Sequence, residues 1–190
     1  DRTKGSLKHT FFGNGIVAHI AFGEPSCPEL RKLAVDAAQK VIEKQPDLDV
    51  HVNDGGIYVN MEGPAFSTKA ESNVYRNSGF DVIGMTSLPE AKLCREAEIC
   101  YQALAMVTDY DCWHETEESV TIEMIVRNLN ASSQLAKEIL RELVLNIPEE
   151  RKCDCGNALQ NAILTSRESI TDEAIEKIKP IIGKYLVNHQ

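Results

Sequence analysis

The 190-residue chain has no Lys/Arg cluster longer than a pair, and its formal net charge is −9. Both features argue against a broad nucleic-acid surface, because phosphate neutralisation dominates such affinity. They leave room for one nucleoside or one phosphate. No apolar run reaches the ~20 residues of a membrane span, so no membrane partner is expected. No glycine loop of the Walker type is present. Internal repeats and low-complexity stretches are absent too. The start carries no secretory signal pattern, and a cytoplasmic location is expected. Asp1-Arg2-Thr3-Lys4 is not a translation start and opens no helix or strand. The chain is therefore expected to begin inside a fold.

Hydrophobic residues make up 43% and charged residues 26%, the balance of a globular protein long enough for one domain with a sizeable core. Six cysteines are too few for a disulfide scaffold at this length. Cys27, Cys94, Cys100 and Cys112 sit in or beside apolar stretches and are expected to be reduced core residues. Cys153 and Cys155 stand apart, as surface thiols or a labile pair with little bearing on the core. Zinc needs about four ligands, and no His lies near that pair, so no metal site is expected.

Strands and helices alternate, which predicts an α/β fold. Ile16 to Ala21 is apolar enough for a strand and carries His19. Pro28 opens a helix whose apolar positions run from Leu30 to Val41. Ile57 to Met61 and Phe80 to Ser87 are further strands. Between them, Ser67 is placed to cap a helix with Ala70, Val74 and Tyr75 on its inner side. Gly84 allows close backbone approach to a ligand, and Thr86 and Ser87 precede a helix over Pro89 to Ala97 whose N-terminus favours an anion. Tyr101 to Val107 is an expected buried strand. A long amphipathic helix runs from Ile122 to Ile147, and Thr171 opens a last one.

The strand from Tyr101 ends in Asp109 and Asp111. Side chains two apart on an extended backbone share one side, so both carboxylates could converge on a ligand at the sheet's C-terminal edge. Close carboxylates resist double ionisation, which would make the pair one donor and one acceptor. The competing reading is a turn in which each Asp bonds its own backbone.

Three stretches carry a resemblance. They are Val59 to Ser72 with its core Glu62-Gly63-Pro64-Ala65-Phe66-Ser67, then Gly84-Met85-Thr86-Ser87-Leu88-Pro89-Glu90, then Thr108-Asp109-Tyr110-Asp111-Cys112-Trp113. Together they resemble the 5′-methylthioadenosine phosphorylases of the trimeric purine nucleoside phosphorylase superfamily. The match corresponds to the C-terminal two-thirds of a member. It implies a three-layer αβα sandwich with a mixed central sheet, residues 1–190 being the C-terminal portion of one phosphorylase domain. The family's glycine-rich phosphate loop and Arg-His phosphate ligands are missing, and an N-terminal segment is expected to complete the site.

The implied reaction is phosphorolysis of 5′-methylthioadenosine to adenine and 5-methylthioribose 1-phosphate, a step of purine and methionine salvage. Phosphate is co-substrate and no cofactor is implied. On matching positions Thr86 would contact phosphate and Met85 the ribose. Phe66 and Ser67 would border the purine, and Asp109 and Asp111 its N6/N7 edge. His19 would lie near the 5′ side of the sugar, and Ile122, Ile125 and Val126 would wall the methylthio pocket. Some members carry Asn where Gly84 stands. A homotrimer is implied, with His9, Phe11 and Phe12 as candidate edge residues. Two alternatives remain: a phosphorylase of 6-oxopurine nucleosides, and a nucleoside-binding fragment lacking its phosphate site.

Overall fold

A computed structural model describes residues 9–114 and 122–186; the side chains of residues 122, 124 and 125 lie outside that description. The elements run α1 (Pro28–Glu43), β1 (Tyr58–Asn60), α2 (Lys69–Asn77), β2 (Val82–Gly84), α3 (Ser87–Glu96), α4 (Ile122–Leu145) and α5 (Asp172–Leu186). Two compact units divide the chain. Among the described residues, no helix is long and apolar enough to cross a membrane.

The first unit holds residues 31–88 and 103–149. Its sheet is the parallel pair β1–β2, with Tyr58 opposite Val82 and Asn60 opposite Gly84. The Asp81 carboxylate accepts from the Ile57 amide at 2.7 Å, which holds the two strands in register at their start. Val59 of β1 and Met61 just after it are buried. Tyr101 to Val107, expected as a strand, pairs with no strand among the described residues and has no regular secondary structure. A strand exists only where a neighbour takes up its backbone groups, which apolar composition alone does not supply. The described sheet is thus narrower than the sandwich that the resemblance implies.

Helix α2 begins one residue later than expected. Thr68, not Ser67, is its N-cap, and Thr68 with Glu71 forms a reciprocal capping box. Its inner face also differs: Ser72 is buried, while Ala70 and Val74 are exposed. Helix α4 buries Leu135, Ile139 and Leu143, four residues apart, as one stripe. Polar bridges join it to α1 and the turn after it: Lys40 and Lys44 meet Glu142 at 3.5 and 3.6 Å, and Gln45 donates to Glu138 at 2.8 Å.

The second unit holds residues 6–30, 89–102 and 150–190. Its core is Ile16, Leu159, Ala162, Ile170 and three residues of α5 at helical spacing, Ala174, Ile178 and Ile182. Ala18 pairs with Ile163 in a single antiparallel bridge, all that forms of the strand expected from Ile16. Glu98 is buried and fully engaged. It accepts from the Leu159 amide at 3.0 Å and the Tyr185 hydroxyl at 2.5 Å, and pairs with Lys184 at 2.5 Å. Burial opposes its ionisation, but these three partners hold the carboxyl below the usual carboxylate range. Phe12 packs against this unit's own core, while Phe11 is exposed.

The cysteines depart most from expectation. All six are free. Cys27, Cys100, Cys153 and Cys155 gather in this unit, with their sulfurs all within 4.8 Å of one another. Cys155 is only 7% exposed, so it is no surface thiol. Burial pushes the Cys100 thiol up to about 11, and Cys155 is pushed upward for the same reason. Burial also opposes ionisation of Cys27, but the Leu30 amide and the neighbouring thiols outweigh it and lower its pKa.

Candidate active site

Four pieces of the first unit meet around the end of the parallel pair. The hinge between them is Asn60, a residue to which the sequence assigned no role. Its side chain is 5% exposed at the end of β1. Its amide nitrogen reaches the carbonyls of Met61 and Met85 at 3.4 and 3.5 Å. Its carbonyl oxygen accepts from the Leu88 amide at 3.1 Å, filling one open donor of the first turn of α3. One buried amide thereby ties the ends of β1 and β2 to a helix N-terminus. Thr86 stands just ahead of that helix and is exposed.

The loop after β1 folds over this end. A Cβ on Gly63 would overlap the Met85 methyl group, so the glycine permits that approach. The Ser67 hydroxyl donates to the Met61 sulfur at 3.2 Å. Phe66 is 85% exposed, so its ring has no protein neighbour to match its apolar area. Gly84 makes room for a protein group rather than an evident ligand: a Cβ there would overlap the Tyr58 phenol oxygen. The phenol fills the volume that a side chain would take at this position.

The segment from Thr108 to Trp113 lies against the same loop. The Cys112 thiol donates to the Ser67 carbonyl at 3.4 Å. The Asp111 carboxylate accepts from the buried Ser72 hydroxyl and from the Cys112 amide, the latter at 2.8 Å. Asp109 is exposed and accepts from the Thr108 hydroxyl at 2.5 Å. The backbone bends at Asp109 and turns after Asp111, where the His114 amide bonds the Asp111 carbonyl at 3.0 Å. Side chains two apart share one side only on an extended chain, and here the chain is bent. The two carboxylates have separate partners instead.

The segment ends in an aromatic cluster. Tyr110 stacks on His114 with centroids 4.4 Å apart, and the Arg76 guanidinium lies 3.8 Å over the Trp113 ring. Asn128 of α4 donates to the Thr108 carbonyl at 3.0 Å, bringing the first half of that helix to the Asp segment. Val126, two residues before, is 48% exposed. The Ile122 and Ile125 side chains lie outside the described residues.

The first unit therefore brings Ser67, Met85, Asp109, Asp111 and the start of α4 into one bonded network. His19 belongs to the second unit, where its amide donates to the Ala162 carbonyl at 2.8 Å and its side chain is exposed. Ser72, Asn60 and Arg76 escaped the sequence reading. Asn60 and Ser72 lie within the first motif stretch, but nothing in their spacing assigned them a partner.

Comparison with known proteins gives this network its setting. The phosphorylase superfamily profile matches residues 2–145. The S-methyl-5′-thioadenosine phosphorylase of Koribacter versatilis is 52% identical over 97% of this chain and 61% of that protein. Its Geobacter sulfurreducens counterpart is 48% identical over 98% of this chain and 63% of that protein. The chain thus spans about three-fifths of the length of these relatives. A methylthioadenosine phosphorylase crystal structure from an antarctic soil metagenomic library superposes with a TM-score of 0.86. It is 36% identical, over 95% of this chain and 62% of that one. The Schistosoma mansoni methylthioadenosine phosphorylase in complex with adenine gives 0.76 at 28% identity, over 86% of this chain and 64% of that one. With a profile match over residues 2–145, and an α/β fold shared with these solved structures, the chain belongs to the phosphorylase superfamily.

Proposed function

We propose that the full-length protein catalyses phosphorolysis of 5′-methylthioadenosine to adenine and 5-methylthioribose 1-phosphate. Residues 1–190 are the C-terminal portion of its single phosphorylase domain, in a cytoplasmic homotrimer that uses phosphate as co-substrate and no cofactor. A phosphate oxygen forms a bond to C1′ as the C1′–N9 bond breaks, and the electron pair leaves with the purine. The sugar is oxocarbenium-like at that point, as in glycoside hydrolysis. A proton delivered to N7 makes the purine a better leaving group.

The observation that carries this reading is the anchoring of Asp111. Both of its oxygens are engaged by donors, Ser72 and the Cys112 amide. That matches a group working as a fixed acceptor, here for the adenine amino group. Asp109, exposed and bonded through one oxygen to Thr108, is free to turn toward N7 as proton donor. Phe66 offers an uncovered ring for the purine, Ser67 borders it, Met85 faces the ribose and Thr86 meets phosphate at the N-terminus of α3. Ile122, Ile125 and Val126 wall the methylthio group.

The test is adenine release from methylthioadenosine by the full-length protein. Release that depends on phosphate or arsenate supports the reading. Binding without release would make the protein a nucleoside binder, and equal turnover of inosine-type nucleosides would make it a 6-oxopurine enzyme. Methylthioadenosine is expected to exceed adenosine in kcat/KM by about 10- to 100-fold, the discrimination one small apolar group supplies.

A further inference from the structure

Three chain segments far apart in sequence deliver four sulfurs to one point of the second unit. Cys27 directly precedes α1, Cys100 follows α3, and Cys153 and Cys155 flank and enter the short 3-10 turn Asp154–Asn157. Each delivery is fixed by backbone bonds. The Cys27 amide donates to the Tyr101 carbonyl at 2.7 Å, which joins the Cys27 and Cys100 segments. The Glu29 carboxylate accepts from the Lys152 and Cys153 amides at 3.0 and 3.2 Å, which holds the Cys153 loop to the start of α1.

We propose that Cys27, Cys100, Cys153 and Cys155 bind one Zn²⁺ as a four-thiolate structural site. Zinc bonds to sulfur at about 2.3 Å, so a tetrahedral site sets its sulfurs about 3.8 Å apart. The cluster spans that value, with Cys100 and Cys153 at 3.4 Å and every pair within 4.8 Å. Neither spacing is a disulfide bond. The surroundings match those of a metal thiolate. Leu30 points its amide at the Cys27 sulfur at 3.4 Å. The Arg151 guanidinium interacts with Cys100 and donates to the Glu98 carbonyl at 2.8 Å. Four thiolates around a dication carry two net negative charges, and the guanidinium offsets one. Cys27 and Cys155 are buried, which closes the site to a substrate and marks it as structural. Binding releases the thiol protons to solvent and involves no oxidant. All four cysteines belong to the second unit, whereas the Asp segment belongs to the first.

The experiment uses the full-length protein, purified without chelator or affinity histidines under mild reductant. Elemental analysis is expected to find about one zinc per chain, and Co²⁺ exchange to produce the sulfur-to-cobalt charge-transfer and intense visible bands of a tetrahedral thiolate site. Cys153→Ser and Cys27→Ser are expected to lower zinc at least about tenfold, whereas Cys94→Ser, outside the cluster, keeps it. If the serine variants do not fold, the Co²⁺ titration of the parent decides alone. A folded, reduced parent with no zinc and no cobalt bands overturns the proposal. So does a mass lower by four hydrogens, which would assign two disulfides, and so does iron in place of zinc.

Discussion

Ser72 is the residue on which the reading of the candidate site turns. It is 1% exposed, and its hydroxyl is spent on Asp111. Ser72→Ala leaves the backbone of α2 intact and removes one charge-assisted hydrogen bond, worth roughly 1.5–3 kcal/mol. The expected outcome is a fall of about 10- to 100-fold in kcat/KM for methylthioadenosine with the fold retained by circular dichroism. Asp109→Asn keeps the shape and loses the transferable proton, so turnover is expected to drop by about 10²–10⁴. If both variants turned over within about twofold of the parent, the segment would be a structural turn. Gly84 makes a stability argument at the same scale. A methyl group there must displace the Tyr58 phenol, an overpacking of about 1–3 kcal/mol. Urea melts of Gly84→Ala are expected to show that loss, and Tyr58→Phe in the same chain to recover part of it.

Among the elements, α4 separates apolar from ionic stabilisation. Ile139 is 3% exposed in the middle of its buried stripe. Ile139→Ala is expected to cost about 2–5 kcal/mol in a denaturant melt. The Glu142 bridges to Lys40 and Lys44 are partly solvated, and such pairs add little. Glu142→Gln is accordingly expected to move the melting temperature far less than Ile139→Ala. Its effect has a pH signature. Desolvation opposes ionisation of Glu142, but Lys44 and Lys40 outweigh it and hold its pKa below 4.5. A depressed folded value means that the contribution is complete above about 4.5 and is lost as pH falls through the folded value. The Glu142→Gln and parent melting temperatures should therefore converge in acid; a gap that widens there would refute the bridge. In α2, Thr68→Ala breaks the capping box and should cost about 1 kcal/mol.

At the scale of the whole molecule, assembly is the open property that a measurement settles. Val126, Leu129, Leu140 and Val144 leave an apolar face of α4 exposed, and Phe11 is exposed as well. Phe12, by contrast, is already taken up by its own core. Sedimentation of the full-length protein is expected to give a trimer; a stable monomer at micromolar concentration would remove that part of the proposal.

The α/β class, the five main helices and the three motif stretches were determined by the sequence alone. Helical periodicity and capping residues are local, so Pro28, Thr171 and the amphipathic pattern of α4 declare themselves without a fold, whereas which apolar residues of α4 are buried, Leu135, Ile139 and Leu143, was decided by packing. Partnership is not local. Ser72 meets Asp111 across 39 positions, and Asn60 meets Leu88 across 28. The four cysteines converge from three segments, so their spacing along the chain carried no trace of a common point. The bend at Asp109 is likewise a tertiary outcome. Two carboxylates two residues apart share a side only if the backbone stays extended, and whether it does depends on a neighbouring strand that Tyr101 to Val107 cannot specify by itself.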